Sequence, residues 1–530
     1  MKSFYITTAI DYTNAAPHIG HAYEKVLADV IARYHRVKGD DTYFLTGVDQ
    51  HGQKVQQVAE KRGIPPQQFV DEMTPKFRLP WEKLEVSYDG WAATTEQSHK
   101  DCVSKILQRL WDEKDPATGE SRWIYKDSRS GYYSVRQEQF LTEKERGPDG
   151  EFGEEWGQVE FREEENYYFR LTGHKQWLLD LIDSRSAAGS PLVIPDFRVA
   201  ELRNAVEKID GDLCISRPVE RLSWGIPFPF DPGFVTYVWF DALVNYISFV
   251  PGYDPLATEF TGNFRKWWPA VHVIGKDILI PAHGVYWPIM LKALGFSDAD
   301  IPSLLVHGWL NIGGAKMSKS LGNVIDPNIL ADKYGPEAVR YYLVSDVKTG
   351  RDADFSEERL IQRYNTDLAN RTGNLLNRSL NMAFKYREHR LTKSAGLNGA
   401  AELAEKTLSE YTQAFETYRV DEALESVFRF ADFCNALVET EKPWALAKDP
   451  AQAARLDEVL YTLAESLRII AILLSPVLPK AAAGIASQLN WDGSLALANA
   501  GWGGLADGHT LGSPVPLFPR LELPKEDPAV

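Results

Sequence analysis

The first 63 residues constrain the fold most. Residues Ser3 to Ile10 alternate in character and are rich in β formers, whereas Val26, Leu27, Val30, Ile31 and Tyr34 recur at helical spacing. Between them stands Pro17-His18-Ile19-Gly20-His21, so the pattern predicts strand, loop and helix, with the histidine run at the loop-to-helix junction. A second strand, Thr42 to Val48, ends at Asp49, and a helix from about Gln53 closes at Gly63. Such alternation implies an α/β domain with a parallel sheet, whose ligands bind beyond the carboxyl ends of the strands.

With 530 residues, the chain has room for roughly three domains of ~150 residues. The pattern breaks near Asp115-Pro116-Ala117-Thr118-Gly119, and up to about Trp224 short aromatic strands and acidic turns suggest an inserted domain. The α/β reading resumes with Phe234 to Trp239 and with His272-Val273-Ile274-Gly275. After Phe355 the chain reads as helices (Glu357 to Lys385, Ala400 to Tyr418, Glu422 to Thr440, Ala451 to Leu474), which predicts a four- or five-helix bundle. The expected division is 1–114 and 226–325 for the halves of the α/β domain and 115–225 for the insertion. A connection at 326–357, a helical domain at 358–523 and a tail at 524–530 complete it.

No basic start followed by an apolar stretch and cleavage site opens the sequence, and no run approaches ~18 uninterrupted apolar residues, so a soluble cytoplasmic protein is expected. Cys102, Cys214 and Cys434 are too few and too scattered for a disulfide framework or a four-thiolate zinc site. The net charge of −16 argues against a nucleic-acid partner. Locally the balance reverses. Arg359, Arg363, Arg371, Arg378, Lys385, Arg387, Arg390 and Lys393 face only Asp367 and Glu388, which fits a basic face or an ordinary solvated helix equally well.

Helix N-termini attract phosphate through unpaired N–H groups. Gly20 would admit a close nucleotide, and His18 and His21 can donate to phosphate oxygens without a permanent charge; two histidines capping or packing a helix start explain the tetrapeptide as well. A second element, Gly313-Gly314-Ala315-Lys316-Met317-Ser318-Lys319-Ser320-Leu321-Gly322-Asn323, reads as a mobile cationic loop able to meet a triphosphate. A plain surface turn would not account for its paired glycines. Trp239, Leu243 and Tyr246 share one helix face, a stripe that by itself suits a core as well as a pocket. Asp49 could hold an ammonium or cap the next helix. Asn374 and Arg378 lie one helical turn apart, and Lys442-Pro443-Trp444 presents an aromatic at a bend, in keeping with reading of unstacked bases.

Pro17-His18-Ile19-Gly20-His21 and Lys316-Met317-Ser318-Lys319-Ser320 together resemble the two motifs of class I aminoacyl-tRNA synthetases. Asp11-Tyr12-Thr13-Asn14, Tyr237-Val238-Trp239-Phe240-Asp241-Ala242-Leu243, Ile274-Gly275-Lys276-Asp277-Ile278, Tyr286-Trp287-Pro288, Asp354-Phe355-Ser356 and Asp367-Leu368-Ala369-Asn370 narrow the resemblance to the methionyl-tRNA synthetase family, over nearly the whole chain. The resemblance implies a Rossmann-like catalytic domain split by a connective, knuckle-bearing insertion, a stem-contact connection, and an α-helical anticodon-binding bundle. It implies ATP with Mg2+, methionine and initiator and elongator methionine tRNAs as partners, and activation of methionine to its adenylate before transfer to tRNA. By the same resemblance ATP is bound by His18, Gly20, His21, Gly275, Lys276, Asp277, Lys316, Ser318, Lys319 and Ser320, with His18, His21, Lys316 and Lys319 catalytic. Ile10, Tyr12, Asp49, Trp239, Leu243, Tyr246 and His283 would bind methionine, Asp49 through its amino group. Asn374, Arg378 and Trp444 would read the anticodon.

Two segments depart from the family pattern. Ile278-Leu279-Ile280-Pro281-Ala282-His283-Gly284 carries one residue more before the histidine, and Ser134 and Gln137 stand where many members place zinc-binding cysteines. Serine and glutamine are not useful zinc ligands, so a knuckle without structural zinc is expected, packed on Tyr132, Tyr133, Phe140, Phe152 and Trp156. The family's appended dimerisation domain is missing from the sequence, which suggests a monomer, and editing of homocysteine in the synthetic site is a further implied activity. A synthetase for leucine, isoleucine or valine is the nearest rival, although the insertion is too short for their editing domain. A catalytically dead tRNA-binding paralogue is the rival that the intact motifs oppose.

Overall fold

The computed structural model describes residues 2–134, 139–141, 145–147, 149–317 and 322–523. Its centre is a seven-stranded parallel sheet. Asp41–Asp49, Ser3–Thr8, Val271–Gly275, Ser303–His307 and Val193–Ile194 lie side by side in that order. Gly90–Ala93 and the short Asp11–Tyr12 strand also pair with Asp41–Asp49, the latter at its carboxyl end, with Tyr12 opposite Asp49. Alternate residues serve two cores: Phe4 and Ile6 face one, Tyr5 the other. The strand and helix expected at the start are present as Ser3–Thr8 and Ile19–Lys38, and the next helix, Gln53–Arg62, closes on Gly63 at φ +68°, where a glycine is the favoured residue.

The insertion is built on a four-stranded antiparallel sheet whose long pair is Ile124–Ser134 with Val159–Phe169. Val193–Ile194, within 115–225, leaves that body and adds the edge strand beside Ser303–His307, so the insertion returns there to the parallel sheet. The strand expected around Phe234 needs correction. Asp231–Thr236 pairs antiparallel with Ser216–Pro218 and Pro227–Phe228 in a separate small sheet, and the parallel sheet resumes only at Val271. In the knuckle, the period of two along the strand buries Tyr133 completely, beneath the guanidinium groups of Arg162 and Arg221 at 4.7 and 4.1 Å, and turns Tyr132 outward. Tyr132 is therefore a surface ring, 37% exposed, beside Phe152. Phe152 and Trp156 are half-buried; the Ser134 hydroxyl donates to the Trp156 carbonyl at 2.5 Å. Gln137 and the side chain of Phe140 lie outside the described residues. Cys102 and Cys434 are buried free thiols and Cys214 is a half-buried one.

Helices Pro327–Tyr334 and Pro336–Ser345 lead into the helical domain, formed by Asn374–Arg387, Ala400–Glu416, Val420–Glu441, Ala453–Leu474 and Pro479–Gln488. This domain packs directly on the Ile19–Lys38 helix: Tyr34 stacks on Phe415 with centroids 4.2 Å apart and donates to Glu416 at 3.0 Å. Deeper in the joint, the fully buried Arg340 pairs with Asp29 at 2.7 Å and donates to the carbonyls of Leu84, Pro476 and Val477 at 3.0–3.2 Å. Asp29 also accepts from Arg33 and from the backbone and hydroxyl of Ser87.

Removing one partner of a buried pair strands the other. Arg340→Leu should lower stability by about 3–5 kcal/mol in denaturant titration. A surface pair such as Arg62–Glu72, cut by Arg62→Ala, should cost at most about 1 kcal/mol in the same measurement.

Candidate active site

A cavity of about 430 Å³ opens at the carboxyl ends of the parallel strands. It is lined by residues from the first strands (Ile10, Asp11, Tyr12, Asp49), the Ile19–Lys38 helix start (His18, Gly20, His21, Glu24), the Val238–Ser248 helix and the later strand ends (Gly275, Asp277, His307, Trp309), with Lys316 at its rim. The two motifs, nearly three hundred residues apart in sequence, thus line one cavity.

His18 and His21 do cap their helix. Gly20 N–H donates to His18 Nδ1 and His18 N–H to His21 Nδ1, both at 3.1 Å. Because each Nδ1 accepts, each neutral ring carries its proton on Nε2, so capping leaves both histidines N–H donors. Burial, aided by the nearby Lys25, pulls His21 down to about 4, so its ring stays neutral at ordinary pH. A Cβ on Gly20 would meet the His18 ring at 2.9 Å, so only glycine fits this turn without moving a histidine.

Behind this turn lies a buried ionic network. Lys25, fully buried, donates to Asp11 at 2.6 Å, Glu24 at 2.9 Å and the Ala9 carbonyl at 3.1 Å. Glu24 in turn meets His307 Nε2 at 3.1 Å. Burial raises the Glu24 carboxyl, but Lys25 and His307 outweigh it and hold the group at about 2, ionised. Burial wins at Asp11, pushing it up to about 7 against the pull of Lys25.

The apolar part of the cavity is walled by Trp239, Leu243 and Tyr246, which do share one face of the Val238–Ser248 helix. The segment Leu279–Tyr286 is helical but kinked at Ile280, whose backbone is extended (φ −116°, ψ 127°), and it brings His283 into the wall. His283 Nδ1 lies 2.9 Å from the Ile278 carbonyl, to which it must donate; Nε2 therefore accepts, and the Tyr246 hydroxyl donates to it at 2.7 Å. Burial pulls His283 down to about 4. Asp49 is buried and lines the same cavity, its carbonyl taking the backbone and hydroxyl donors of Thr13 at 3.0 Å.

On the rim, Lys316 sits 3.3 Å from Asp277 and 4.1 Å from the ring centroid of Trp309. Lys276 is not brought into the cavity. Its ammonium lies over the same indole at 3.8 Å and pairs with Asp352 at 2.6 Å. Ser318, Lys319 and Ser320 lie outside the described residues. Among the described residues no group of three or more His, Cys, Asp or Glu converges to hold a metal ion.

In the helical domain Asn374 is exposed and Arg378 pairs with Glu439 at 2.7 Å; Glu439 precedes by three residues the turn at Lys442 that carries the 40% exposed Trp444. The basic stretch is largely answered by carboxylates of other turns: Arg359 by Asp346, Arg363 and Arg371 by Asp367, Arg387 by Asp457. Sequence reasoning missed Asp11, Glu24, Lys25, His307 and Trp309. The signal available was the placement of Glu24-Lys25 on the buried face of the first helix, since burial of adjacent opposite charges demands partners.

A family model for class I tRNA synthetases (M) matches residues 4–151 and 155–380, and one for the anticodon-binding domain of tRNA ligases matches 401–503. A methionine–tRNA ligase of Lactococcus lactis is 37% identical over 99% of this chain and 78% of its own length; one of Thermosynechococcus vestitus is 38% identical over 98% of both. The Mycobacterium tuberculosis methionyl-tRNA synthetase in complex with methionyl-adenylate superposes with a TM-score of 0.88 at 36% identity, covering 98% of this chain and 100% of that one.

His283 is lowered below its unfolded value of 6.5, so between pH 6.5 and 4 the unfolded state binds a proton that the folded state does not. Its contribution is present above pH 6.5 and lost as pH falls toward 4. Urea titrations of the wild type and His283→Gln should show the gap between them grow, by up to about 3 kcal/mol, as pH rises from 4 to 6.5, and stay level above.

Proposed function

The chain belongs to the methionyl-tRNA synthetases of class I, and from that premise we propose how its residues divide the reaction. As a methionine–tRNA ligase it activates methionine with ATP to methionyl adenylate and transfers the methionyl group to tRNA. The observation that carries the assignment of residues is the single cavity that joins the His18–His21 turn, Lys316, Asp49 and an aromatic chamber.

The ammonium of methionine pairs with Asp49, and its thioether lies among Trp239, Leu243, Tyr246 and His283, with Ile10 and Tyr12 closing the near side. Sulfur–aromatic contacts of this kind contribute about 0.3–1.5 kcal/mol each. The methionine carboxylate oxygen attacks the α-phosphorus of ATP; the new P–O bond forms as the bond to pyrophosphate breaks. His18 and His21 donate through Nε2 to phosphate oxygens, Gly20 and Gly275 allow close approach, and Lys316 leaves Asp277 to meet the growing charge on pyrophosphate. Lys319, Ser318 and Ser320 complete that loop by family resemblance, and Lys276 joins the phosphate site by leaving Trp309. Mg2+, when present, would be bound mainly by the oxygens of ATP itself and would supply neutralisation of their charge. In the second step the terminal 2′-hydroxyl of tRNA attacks the acyl carbon and AMP departs. No general base is assigned to the first step, because positioning and charge stabilisation suffice. Asn374, Arg378 and Trp444 read the anticodon, Arg378 exchanging Glu439 for the RNA. No helix among the described residues is long and apolar enough to cross a membrane. A cytoplasmic monomer that charges both initiator and elongator tRNA and edits homocysteine is the physiological setting we propose.

Amino-acid-dependent ATP–pyrophosphate exchange tests the reading. Exchange is expected with methionine; exchange with leucine alone would favour the nearest rival, and none at all the inactive paralogue. Asp49→Asn should raise the methionine KM tenfold or more, a loss of about 1.4 kcal/mol or greater. Lys316→Ala should lower the exchange kcat by about 10²-fold while sparing that KM. Arg378→Ala and Trp444→Ala should leave exchange intact and reduce tRNA charging by about 10–100-fold, as expected for loss of a stacked or hydrogen-bonded base.

A further inference from the structure

Outside the cavity, a fully buried carboxylate is held between two imidazoles. Asp241 Oδ2 lies 2.6 Å from His51 Nδ1, and Oδ1 lies 2.7 Å from His99 Nε2. A carboxylate cannot donate, so each ring gives it one N–H. His99 Nδ1 lies 2.7 Å from the Ser248 hydroxyl. Burial alone would raise the Asp241 carboxyl, but the two histidines outweigh it and hold it at about 2, ionised. All three groups are buried, and none lines the cavity.

What Asp241 joins gives it a role. His51 is two residues beyond Asp49, in the loop after the Asp41–Asp49 strand. Asp241 is on the Val238–Ser248 helix, about 200° around from Trp239 and from Leu243. The loop that carries the proposed ammonium site and the helix that carries the proposed side-chain wall are thus tied back to back through one ion. The Trp224 indole donating to the Gln50 carbonyl at 2.6 Å and the Thr94 hydroxyl accepting from Gln50 N–H at 2.9 Å hold the loop from other sides, and Gly52 of the same loop approaches Val238 at the start of that helix, where an added Cβ would stand 3.6 Å from the valine Cβ.

We infer that Asp241 is a positioning residue for amino-acid selection: through His51 it fixes the distance between the Asp49 carboxylate and the Trp239–Leu243–Tyr246 wall. The inference rests on the methionine-binding role given to those residues above. A fixed separation rejects side chains longer than methionine; a slack one admits them. The discrimination at stake is that of a single methylene, about 10–200-fold.

The test is pyrophosphate exchange with methionine and with ethionine, one methylene longer. His51→Leu, which cuts the tie on the loop side, should raise the methionine KM about tenfold and lower the preference for methionine over ethionine about fivefold or more, with kcat and the ATP KM within about twofold of wild type. His51→Asn sets an amide N–H where Nδ1 stands and should restore both readouts to within about threefold of wild type. Asp241→Ala should resemble His51→Leu, and the double variant should be no worse than either. Should Asp241→Ala fail to fold, the two His51 variants carry the test. Unchanged selectivity in His51→Leu, equal rises in the methionine and ATP KM, or an Asn variant no better than Leu would each overturn the inference. Asp49→Asn, run alongside, separates the two levels: if it leaves the methionine KM unchanged, the pocket assignment itself fails, whatever Asp241 does.

Discussion

One helix sets the terms for the rest. Ile19–Lys38 carries Glu24, Lys25 and Asp29 on its buried side, and an ion out of water persists in a fold only where partners meet it. Those partners come from every direction: Asp11 and the Ala9 carbonyl from the first strands, His307 from a later strand end, Ser87 from the segment before Gly90–Ala93, and Arg340 from the connection to the helical domain. The helix can therefore sit in one position only. Its amino end, where the two histidines cap it, is fixed relative to the strand ends by the same bonds that fix its carboxyl half against the bundle.

This arrangement also explains how an acidic chain can host a triphosphate. Lys54 and Lys316 line the cavity, and Lys276 lies just outside it. Lys316 and Lys276 rest against Trp309, each with its own carboxylate, Asp277 and Asp352. Moving Lys316 from a half-exposed carboxylate to a phosphate exchanges one ion pair for another, so its release is cheap, whereas a fully buried lysine such as Lys25 could not be spared. On the roles proposed above, His21, held neutral by burial, would supply a donor without adding charge and leave charge stabilisation to Lys316.

Much of this was legible in the sequence, and the limits have physical causes. The first strand–helix unit, the closing glycine at Gly63 and the helical domain follow from local periodicity and caps, which are properties of neighbouring residues. The apolar wall was assigned through the family resemblance, since the helix-face stripe of Trp239, Leu243 and Tyr246 suits a core by itself and only the cavity separates the two. What escaped depends on distant residues meeting: the answering of Glu24 by His307, the edge strand at Val193–Ile194, the pairing of Asp231–Thr236 outside the parallel sheet, and the turning of Lys276 onto Trp309. Tyr132 and Tyr133 show the narrowest case, where adjacent identical residues take opposite fates because a strand has two faces.

The chamber wall, finally, is specified by where its protons sit. Because His283 must give its Nδ1 proton to the Ile278 carbonyl, Tyr246 must give its own to His283, and the phenol is left with no donor to offer the cavity. Behind it, the Trp287 indole donates to His272 Nε2, which obliges His272 Nδ1 to donate to Thr7, while the His272 ring stacks on Tyr246 at 4.1 Å. Two buried histidines, both lowered by burial and so neutral, thereby hold one tyrosine in place from the edge and from the face. At Tyr246 and His283, therefore, the chamber wall presents no phenol or imidazole N–H donor to its contents, and this part of it offers apolar and aromatic surface only.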